Sequence, residues 1–240
     1  PGEPVADYIH WNQPRRSIIF LFQNKARHLK REKDVERYLK RAGRKFIIVD
    51  RNRLSKLRAT AGKLNQKIYV VADNHPYARL VSNIKGEREI TRVAKYKHTA
   101  PPSDMRPIGA NFENKITLLG YKVSSDMVRP GDTLKVSFFY RCDALMDKDW
   151  QIFIHGDGPG RGRLHGDHYP LKGLYSTTEW QVGEILEDAF EIPIRSNYRK
   201  SHFVLWTGFY HGSTRLSVVN NVRKDSDNRV HGPRIRMKLD

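Results

Sequence analysis

The hydrophobic pattern of the first 86 residues alternates between two periods. Short runs of apolar, β-forming residues occupy positions 17–22, 46–49 and 68–71, as expected for strands covered on both faces. Between them, apolar residues at i, i+3, i+4 and i+7 in segments 35–42 and 54–64 predict two amphipathic helices. The order β-α-β-α-β favours a mostly parallel sheet with helices packed on it. Residues 1–86 are therefore predicted to form a small α/β (βαβαβ) domain.

The pattern changes after residue 86. Residues 87–112 lose their periodicity and are rich in proline, which favours a linker, part of which could pair as an edge strand. Residues 113–240 show short alternating segments separated by Gly, Pro, Asn or Asp. Seven strand candidates lie at 116–123, 133–141, 150–155, 185–194, 202–210, 215–219 and 234–239. The complete prediction is an α+β two-domain chain, in which an antiparallel, jelly-roll-like β-sandwich occupies residues 113–240.

Composition adds an uneven charge to this picture. Hydrophobic residues make up 38% of the 240 positions, which argues against wholesale disorder. Lys and Arg number 44 and Asp and Glu 26, so the net charge is +18. Residues 1–104 carry a net charge of +14 and residues 105–240 a net charge of +4. The excess positive charge therefore belongs mainly to the predicted α/β domain.

Several absences narrow the class of protein. The longest apolar run, at 17–22, is far shorter than the roughly 20 residues that cross a bilayer, so no transmembrane helix is predicted. A single cysteine, Cys142, excludes an internal disulfide framework and a cysteine-based zinc cluster. Because the chain opens Pro1-Gly2-Glu3, without methionine or an apolar signal segment, we expect it to be part of a longer polypeptide.

A series of short motifs in the second half points to a known family. It consists of Leu118-Leu119-Gly120-Tyr121, Val128-Arg129-Pro130-Gly131-Asp132, Phe153-Ile154-His155, Gly166-Asp167-His168-Tyr169-Pro170, Trp180-Gln181-Val182-Gly183-Glu184 and Gly208-Phe209-Tyr210. The series resembles the C-terminal region of bacterial multi-pass membrane glycosyltransferases of the protein mannosyltransferase and aminoarabinose transferase type. The first half looks like the segment that follows the last transmembrane helix of those enzymes.

The resemblance implies an accessory role outside the cytoplasm. Enzymes of this family take a sugar from a polyprenyl-phosphate donor and pass it to a protein or glycan. Their catalytic acidic residue lies in a loop of the membrane domain, so the resemblance places no catalytic residue in this chain and implies no cofactor. It implies a non-catalytic, extracytoplasmic (periplasmic) region that binds or positions a glycan or lipid-linked sugar. Its partner would be an upstream transmembrane domain of the same polypeptide.

Aromatic and polar residues of the second half supply candidate saccharide contacts. Flat rings pack on the C–H faces of sugars while polar side chains bond the hydroxyls. The candidate carbohydrate-binding residues are Trp180, Tyr169, Tyr175, Asp167, His168 and Arg161, and the wider aromatic set includes Trp150, Trp206 and Tyr210. The competing interpretation is structural, with Trp150 and Trp206 in the core and Trp180 as a plug.

The densest group of metal-ligand residue types consists of His155, His165, Asp167 and His168. Their spacing matches no standard signature, and the intervening glycine-rich loop carries Arg161 and Arg163, whose charges repel a cation. The sequence therefore favours no metal, and Asp167-His168 is interpreted instead as a hydrogen-bonded pair that fixes its loop. The loop also lacks the Gly-Lys-Ser/Thr ending of a P-loop.

The candidate membrane-surface residues are the basic positions Lys30, Arg31, Arg37, Lys40, Arg41 and Arg44. Anionic head groups attract such residues by about 1 kcal/mol each, and the same charges could neutralise nucleic-acid phosphates. Glu32 and Glu36 interleave with them, which equally fits a solvated helix face. No recognition-helix, RNP-like or zinc-finger pattern accompanies the charge, which disfavours nucleic acid. The alternative to an accessory glycosyltransferase region is a free-standing basic protein that binds nucleic acid or an acidic polymer.

Overall fold

The computed structural model of the chain describes residues 5–8, 27–73, 78–86, 92–160 and 162–239. It divides into two compact units, residues 1–94 and 95–240. The strand predicted at 17–22 lies outside the described residues and stays a prediction.

The first unit is built on a five-stranded sheet. Its described elements are β1 (Val5–Tyr8), β2 (Arg27–His28), α1 (Glu32–Leu39), β3 (Phe46–Asp50), α2 (Leu54–Gly62), β4 (Tyr69–Ala72) and β5 (Ala78–Ser82). The strand order is β2-β1-β3-β5-β4. Strand β1 runs parallel to β2 and β3, whereas β5 is antiparallel to both β3 and β4.

This mixed sheet shows that the predicted βαβαβ domain is wrong. The prediction is a mostly parallel sheet, but β5 lies between β3 and β4 and is antiparallel to both, and β4 lies at the sheet edge. Only residues 73–77 separate β4 from β5. A parallel crossover needs a dozen or more residues, so a connection this short allows only an antiparallel pair. The apolar pattern also misses β1, because its four residues are too few to show a period.

Both helices occur where the apolar spacing predicts them. Helix α1 buries Val35, Tyr38 and Leu39, which lie on one face at i, i+3 and i+4. Helix α2 buries Leu54 and Leu57 in the same way. These side chains and the apolar residues of the sheet form one continuous hydrophobic core.

The second unit consists of two facing sheets. Its strands are β6 (Lys97–His98), β7 (Arg106–Phe112), β8 (Ile116–Val123), β9 (Met127–Val128), β10 (Thr133–Cys142), β11 (Gln151–Asp157), β12 (Arg163–His165), β13 (Ile185–Pro193), β14 (His202–His211), β15 (Thr214–Arg215) and β16 (Val230–Met237). The orders are β6-β13-β10-β8-β7 in the five-stranded sheet and β12-β11-β14-β16-β9 in the six-stranded sheet, with β15 attached to β14.

Aromatic side chains fill the space between these two sheets. The ring of Phe209, on β14, lies 5.2 Å from that of Phe112 on β7 and 5.1 Å from that of Tyr140 on β10. The Trp180 ring lies 6.2 Å from the Tyr140 ring and is 1% exposed. Rings at these separations contribute packing energy beyond their buried area.

The second unit also departs from the predicted jelly-roll-like sandwich. Strands β6 and β7, which come from residues 87–112, form the two edges of the five-stranded sheet. Strand β9 pairs with β16 in parallel. The α+β fold class is therefore wrong as predicted: three sheets dominate the chain, and the described residues contain two α-helices, both in the first unit. No helix of the described segments is long and apolar enough to cross a membrane.

Candidate functional site

The segment from His165 to Tyr169 alternates between the two faces of the six-stranded sheet. His165 pairs with His155 of β11, and His168 forms a bridge with Ile152, so the segment continues β12 along β11. Since successive residues of a strand point to opposite faces, His165, Asp167 and Tyr169 share one face and His168 lies on the other. The predicted Asp167-His168 pair is thus divided between the outer and inner sides of the sheet.

We call the outer surface at β12, β11 and β14 the aromatic–histidine face. It consists of three rows, each with one residue from the β12 segment, one from β11 and one from β14. The first row is His165, His155 and Trp206, the second is Asp167, Phe153 and Gly208, and the third is Tyr169, Gln151 and Tyr210. Residues alternating with these on β11 and β14, such as Ile152 and Phe209, are fully buried on the inner side.

Glycine at position 208 makes room for an aromatic ring at the centre of this face. A Cβ atom on Gly208 would lie 2.6 Å from Cζ of Phe153, closer than real contacts allow. The Phe153 ring therefore lies over the glycine and is 2% exposed. The guanidinium of Arg215, from β15, covers it at 4.7 Å from the ring centroid.

A chain of hydrogen bonds joins the third row of the face. The Tyr210 hydroxyl donates to Oε1 of Gln151 at 2.8 Å, and Nε2 of Gln151 donates to the Tyr169 hydroxyl at 3.1 Å. Tyr169 is 45% exposed, and its own hydroxyl proton stays available for an outside acceptor. The row thus presents a polar edge beside an exposed ring.

Asp167 gives the face a carboxylate. Its Oδ1 accepts the backbone N–H of Ile154 at 2.9 Å, while the residue is exposed. Partial burial acts to raise the pKa of Asp167, but hydrogen bonds from His155 and Ile154 and the charges of His155 and His165 outweigh it and lower the pKa. The group is therefore ionised at neutral pH and able to accept hydrogen bonds from a ligand.

Two arginines and an aspartate border the first row. The Asp157 carboxylate accepts hydrogen bonds from Nε of Arg163 at 2.6 Å and from Nη1 of Arg229 at 2.7 Å. Burial opposes ionisation of Asp157, yet these two guanidinium groups lower its pKa below the usual range. The Arg229 guanidinium also lies 5.2 Å from the ring centroid of Trp206. This network holds the half-buried Trp206 ring in place.

His155, His165 and Asp167 bring three potential ligand atoms within 4.8 Å of one another. The geometry nevertheless favours hydrogen bonding over metal coordination. Nη1 of Arg163 lies 3.3 Å from Nδ1 of His155, and a guanidinium can only donate. Nδ1 of His155 therefore accepts this hydrogen bond, and Nε2, which lies 3.7 Å from Oδ1 of Asp167, is the nitrogen able to donate. Metal-ligating histidines have the opposite arrangement, in which the second nitrogen donates to an acceptor.

The other predicted saccharide contacts lie elsewhere. Trp180 and Tyr175 are 1% and 2% exposed, so both belong to the core and present no ring face to a ligand. His168 points inward, where its Nε2 lies 2.7 Å from Oδ2 of the buried Asp188. Arg161 lies outside the described residues. Trp150, which lies just before β11, is buried.

Sequence reasoning missed Gln151 and Phe153 as members of the face. The signal was present, because Gln151, Phe153, His155 and Asp157 alternate with Ile152, Ile154 and Gly156. Alternation of this kind marks a strand with one polar face. The alternation does not show which neighbouring strand contributes to the same face. That information comes from the register between β11 and β14.

The motifs that carry the family resemblance mostly serve the fold. In Pro130-Gly131-Asp132, the Asp132 carboxylate accepts the backbone N–H of Arg129 at 2.7 Å and closes a turn in which Gly131 has φ +94°. In Trp180–Glu184, the indole is buried, and Oε2 of Glu184 accepts the backbone N–H of Gln181 at 2.9 Å. The motif residues that belong to the aromatic–histidine face are Phe153, His155, Asp167, Tyr169, Gly208 and Tyr210.

The basic residues of the first unit are arranged around α1. Lys30 and Arg31 precede the helix, Lys40 and Arg41 follow it, and all four are exposed. Arg37 lies on the helix between them, with Nη1 3.7 Å from a carboxylate oxygen of Asp34. Arg44 instead lies over Phe46, with its guanidinium carbon 4.8 Å from the ring centroid. Five of the six candidate positions therefore offer charge to the solvent.

Comparisons with known proteins do not identify a family for this chain. No protein-family model and no curated protein matches the chain. Among solved structures, the alkylpurine DNA glycosylase AlkC of Pseudomonas fluorescens, bound to DNA containing an abasic site analog, matches with 10% identity and a TM-score of 0.31 over 52% of this chain and 31% of its own. Spo0M, a sporulation control protein from Bacillus subtilis, matches with 10% identity and a TM-score of 0.29 over 52% of this chain and 49% of its own. This chain therefore spans less than half of either structure, and TM-scores this low support no inference about function.

Proposed function

We propose that the second unit binds a saccharide on the aromatic–histidine face. The observation that carries this proposal is the exposed Tyr169 ring beside the ionised, solvent-facing Asp167. Aromatic rings pack against the C–H faces of sugars, and a carboxylate accepts hydrogen bonds from adjacent hydroxyls. Tyr210 and Gln151 supply further polar atoms along the same row.

The size of the face suits a short oligosaccharide. Neighbouring strands lie about 4.8 Å apart, and alternate residues of one strand about 6.7 Å apart. Three strands and three residues along each strand thus span about 10 Å by 13 Å. Seven of the nine residues stand on paired strands, and Asp167 and Tyr169 flank the bridge from His168 to Ile152. The face is therefore formed before a ligand arrives, which lowers the entropic cost of binding.

The sequence resemblance supplies the context for this binding. We propose that the chain is the extracytoplasmic C-terminal region of a bacterial membrane glycosyltransferase that uses a polyprenyl-phosphate sugar. In that context the face holds the acceptor or the growing glycan, while the membrane domain performs the transfer. The chain by itself is expected to transfer no sugar from a polyprenyl-phosphate donor, and measurable turnover would refute its accessory role.

A glycan array followed by titration calorimetry tests the binding. We expect at least one saccharide to bind, and Tyr169→Ala and Asp167→Asn each to weaken it about tenfold, equivalent to about 1.4 kcal/mol. Asp147→Asn removes an exposed carboxylate outside the face and serves as the matched control. Absence of binding by a correctly folded chain, or equal loss in all three variants, would overturn the proposal.

A second function is favoured by the exposed basic residues around α1. We propose that they contact anionic lipid head groups, since the four residues before and after the helix are exposed and attraction of this kind adds per residue. Vesicle co-sedimentation with and without anionic lipid, beside a DNA gel shift, tests it. We expect binding only to the anionic vesicles, reduced in the combined variant Lys30→Gln/Arg31→Gln/Lys40→Gln/Arg41→Gln. A shift of DNA without vesicle binding would support the free-standing basic protein instead.

A further inference from the structure

A cavity of about 330 Å³ opens on the second unit at β10 and β13, away from the residues of the aromatic–histidine face. Its volume is near the lower end for small-molecule sites. The walls combine apolar and polar groups. Its lining residues include the apolar Leu171, Ala189 and Phe190 and the polar Ser137 and Tyr96.

Two lysines supply positive charge to the cavity. Lys135 and Lys172 both line it, both are exposed, and within the described segments neither forms an ion pair. Glu191 also lines the cavity and lies opposite Lys135 in the β10–β13 register. Two further charges border the cavity: Glu187 accepts hydrogen bonds from Ser137 and His98, and Nζ of Lys95 lies 4.9 Å from the Tyr96 ring centroid. The three lysines exceed the two glutamates by one charge, so the cavity attracts an anion.

The backbone positions Lys172 at some conformational cost. Leu171 and Lys172 have φ +52° and +55°, in the left-handed region that residues with a Cβ rarely adopt. This turn is fixed by the buried Asp188, whose Oδ1 accepts the N–H of Leu171 at 2.7 Å. The other carboxylate oxygen of Asp188 is held by His168. Unfavourable backbone held in place by buried partners is a feature of ligand sites.

We propose that this cavity binds a small organic anion, in which an apolar group carries one phosphate or carboxylate. The anionic group lies between Lys135 and Lys172, and the apolar group packs against Leu171 and Ala189. The Phe190 ring points to the opposite side of β13 from Ala189 and packs in the core, 5.7 Å from the Phe138 ring, so the strand that carries this wall is rigid. The site is independent of saccharide binding, because its residues belong to the five-stranded sheet and the turn beside it.

Titration calorimetry of the full chain with phenyl phosphate tests the proposal. We expect saturable binding with one site per chain, and binding at least tenfold weaker for benzyl alcohol and for inorganic phosphate alone. Benzoate in place of phenyl phosphate shows whether a carboxylate serves as well. Tyr169→Ala and Asp167→Asn are expected to leave the affinity for phenyl phosphate unchanged.

Matched variants separate the cavity from general charge attraction. Lys135→Gln/Lys172→Gln is expected to weaken binding at least tenfold, whereas Lys67→Gln/Lys238→Gln removes the same charge from exposed positions elsewhere and should change it less than twofold. Glu191→Gln should strengthen binding, and Ala189→Trp, which fills the cavity from an exposed position, should abolish it. Equal effects of the two lysine pairs, unchanged affinity in a folded Ala189→Trp variant, or no saturation below about 10 mM phenyl phosphate would overturn the proposal.

Discussion

The pair His168–Asp188 shows how a residue of a surface-like motif becomes part of the interior. Nδ1 of His168 lies against the carbonyl of Gly166 and Nε2 against Oδ2 of Asp188. Only an imidazolium can donate at both nitrogens. Asp188 is 2% exposed, and its second oxygen accepts the N–H of Leu171. Each acceptor of this small network is therefore matched to a donor.

Removing the carboxylate of Asp188 is expected to destabilise the second unit. In Asp188→Ala, the His168 imidazolium and the Leu171 N–H lose their acceptor inside the protein, which costs about 3 kcal/mol of unfolding free energy. Urea denaturation followed by circular dichroism measures the loss. Asp147→Ala removes an exposed aspartate and should change stability by less than about 0.5 kcal/mol. A loss of that small size in Asp188→Ala would show that the network contributes little.

The same pair predicts a pH dependence of stability. Burial acts against the charged form of His168, but the hydrogen bond and charge of Asp188, the Gly166 carbonyl and the charge of Asp167 outweigh it and raise the pKa above the ordinary 6.5. A raised pKa means that the folded state holds the proton more tightly. This contribution is fully present below pH 6.5 and is lost as the pH rises through the folded pKa.

Urea denaturation of the wild type and of His168→Gln at a series of pH values isolates the contribution of His168 to the unfolding free energy. The free-energy difference between the two proteins is expected to be largest in mild acid and to shrink toward pH 9. His231, whose pKa is lowered mainly by burial, titrates in both proteins and cancels in the difference. A difference that grows with pH would show that His168 is neutral in the fold.

At the scale of elements, two glycines differ sharply in what surrounds them. A Cβ on Gly120, in β8, would lie 2.2 Å from the carbonyl oxygen of Arg106 in β7. Backbone atoms cannot move aside as a flexible side chain does, so the two strands would separate. Gly62, the last residue of α2, has nothing within 4 Å of its Cβ position and no positive φ.

Alanine at these two positions is expected to have opposite effects. Gly120→Ala should lower the unfolding free energy by roughly 1–3 kcal/mol through overpacking. Gly62→Ala should raise it by up to about 1 kcal/mol, because alanine favours the helix and restricts the unfolded chain. Chemical denaturation of both variants measures the changes. A neutral Gly120→Ala would mean that β7 and β8 are not held as closely as described.

Element positions were partly readable from the sequence. The spacing of Val35, Tyr38 and Leu39 predicts α1, and the alternation of Leu134, Val136 and Phe138 predicts β10, because both patterns are local. The partner of β3 was not readable. The short 73–77 connection makes β4 and β5 antiparallel, but the insertion of β5 beside β3 depends on contacts between segments about 30 residues apart.

At the scale of the whole molecule, the division at residues 94 and 95 predicts separable behaviour. A fragment of residues 95–240 is expected to unfold cooperatively and to keep the saccharide affinity of the full chain. A fragment of residues 1–94, which holds most of the net positive charge, is expected to keep the vesicle binding. Thermal unfolding, calorimetry and co-sedimentation of both fragments check this. Loss of cooperative unfolding in the 95–240 fragment would show that the second unit depends on the first.

By itself the sequence determined the local features: the two helices, most strands of the second half, the uneven charge and the residue types suited to a saccharide. These follow from periodicity and composition, which act over a few residues. Only the tertiary structure decided that Trp180 and Tyr175 are core, that Asp167 and His168 face opposite sides of a sheet, and that Gln151 and Phe153 join the face. Burial and strand register result from pairing between distant segments, so neither could be read from neighbouring residues.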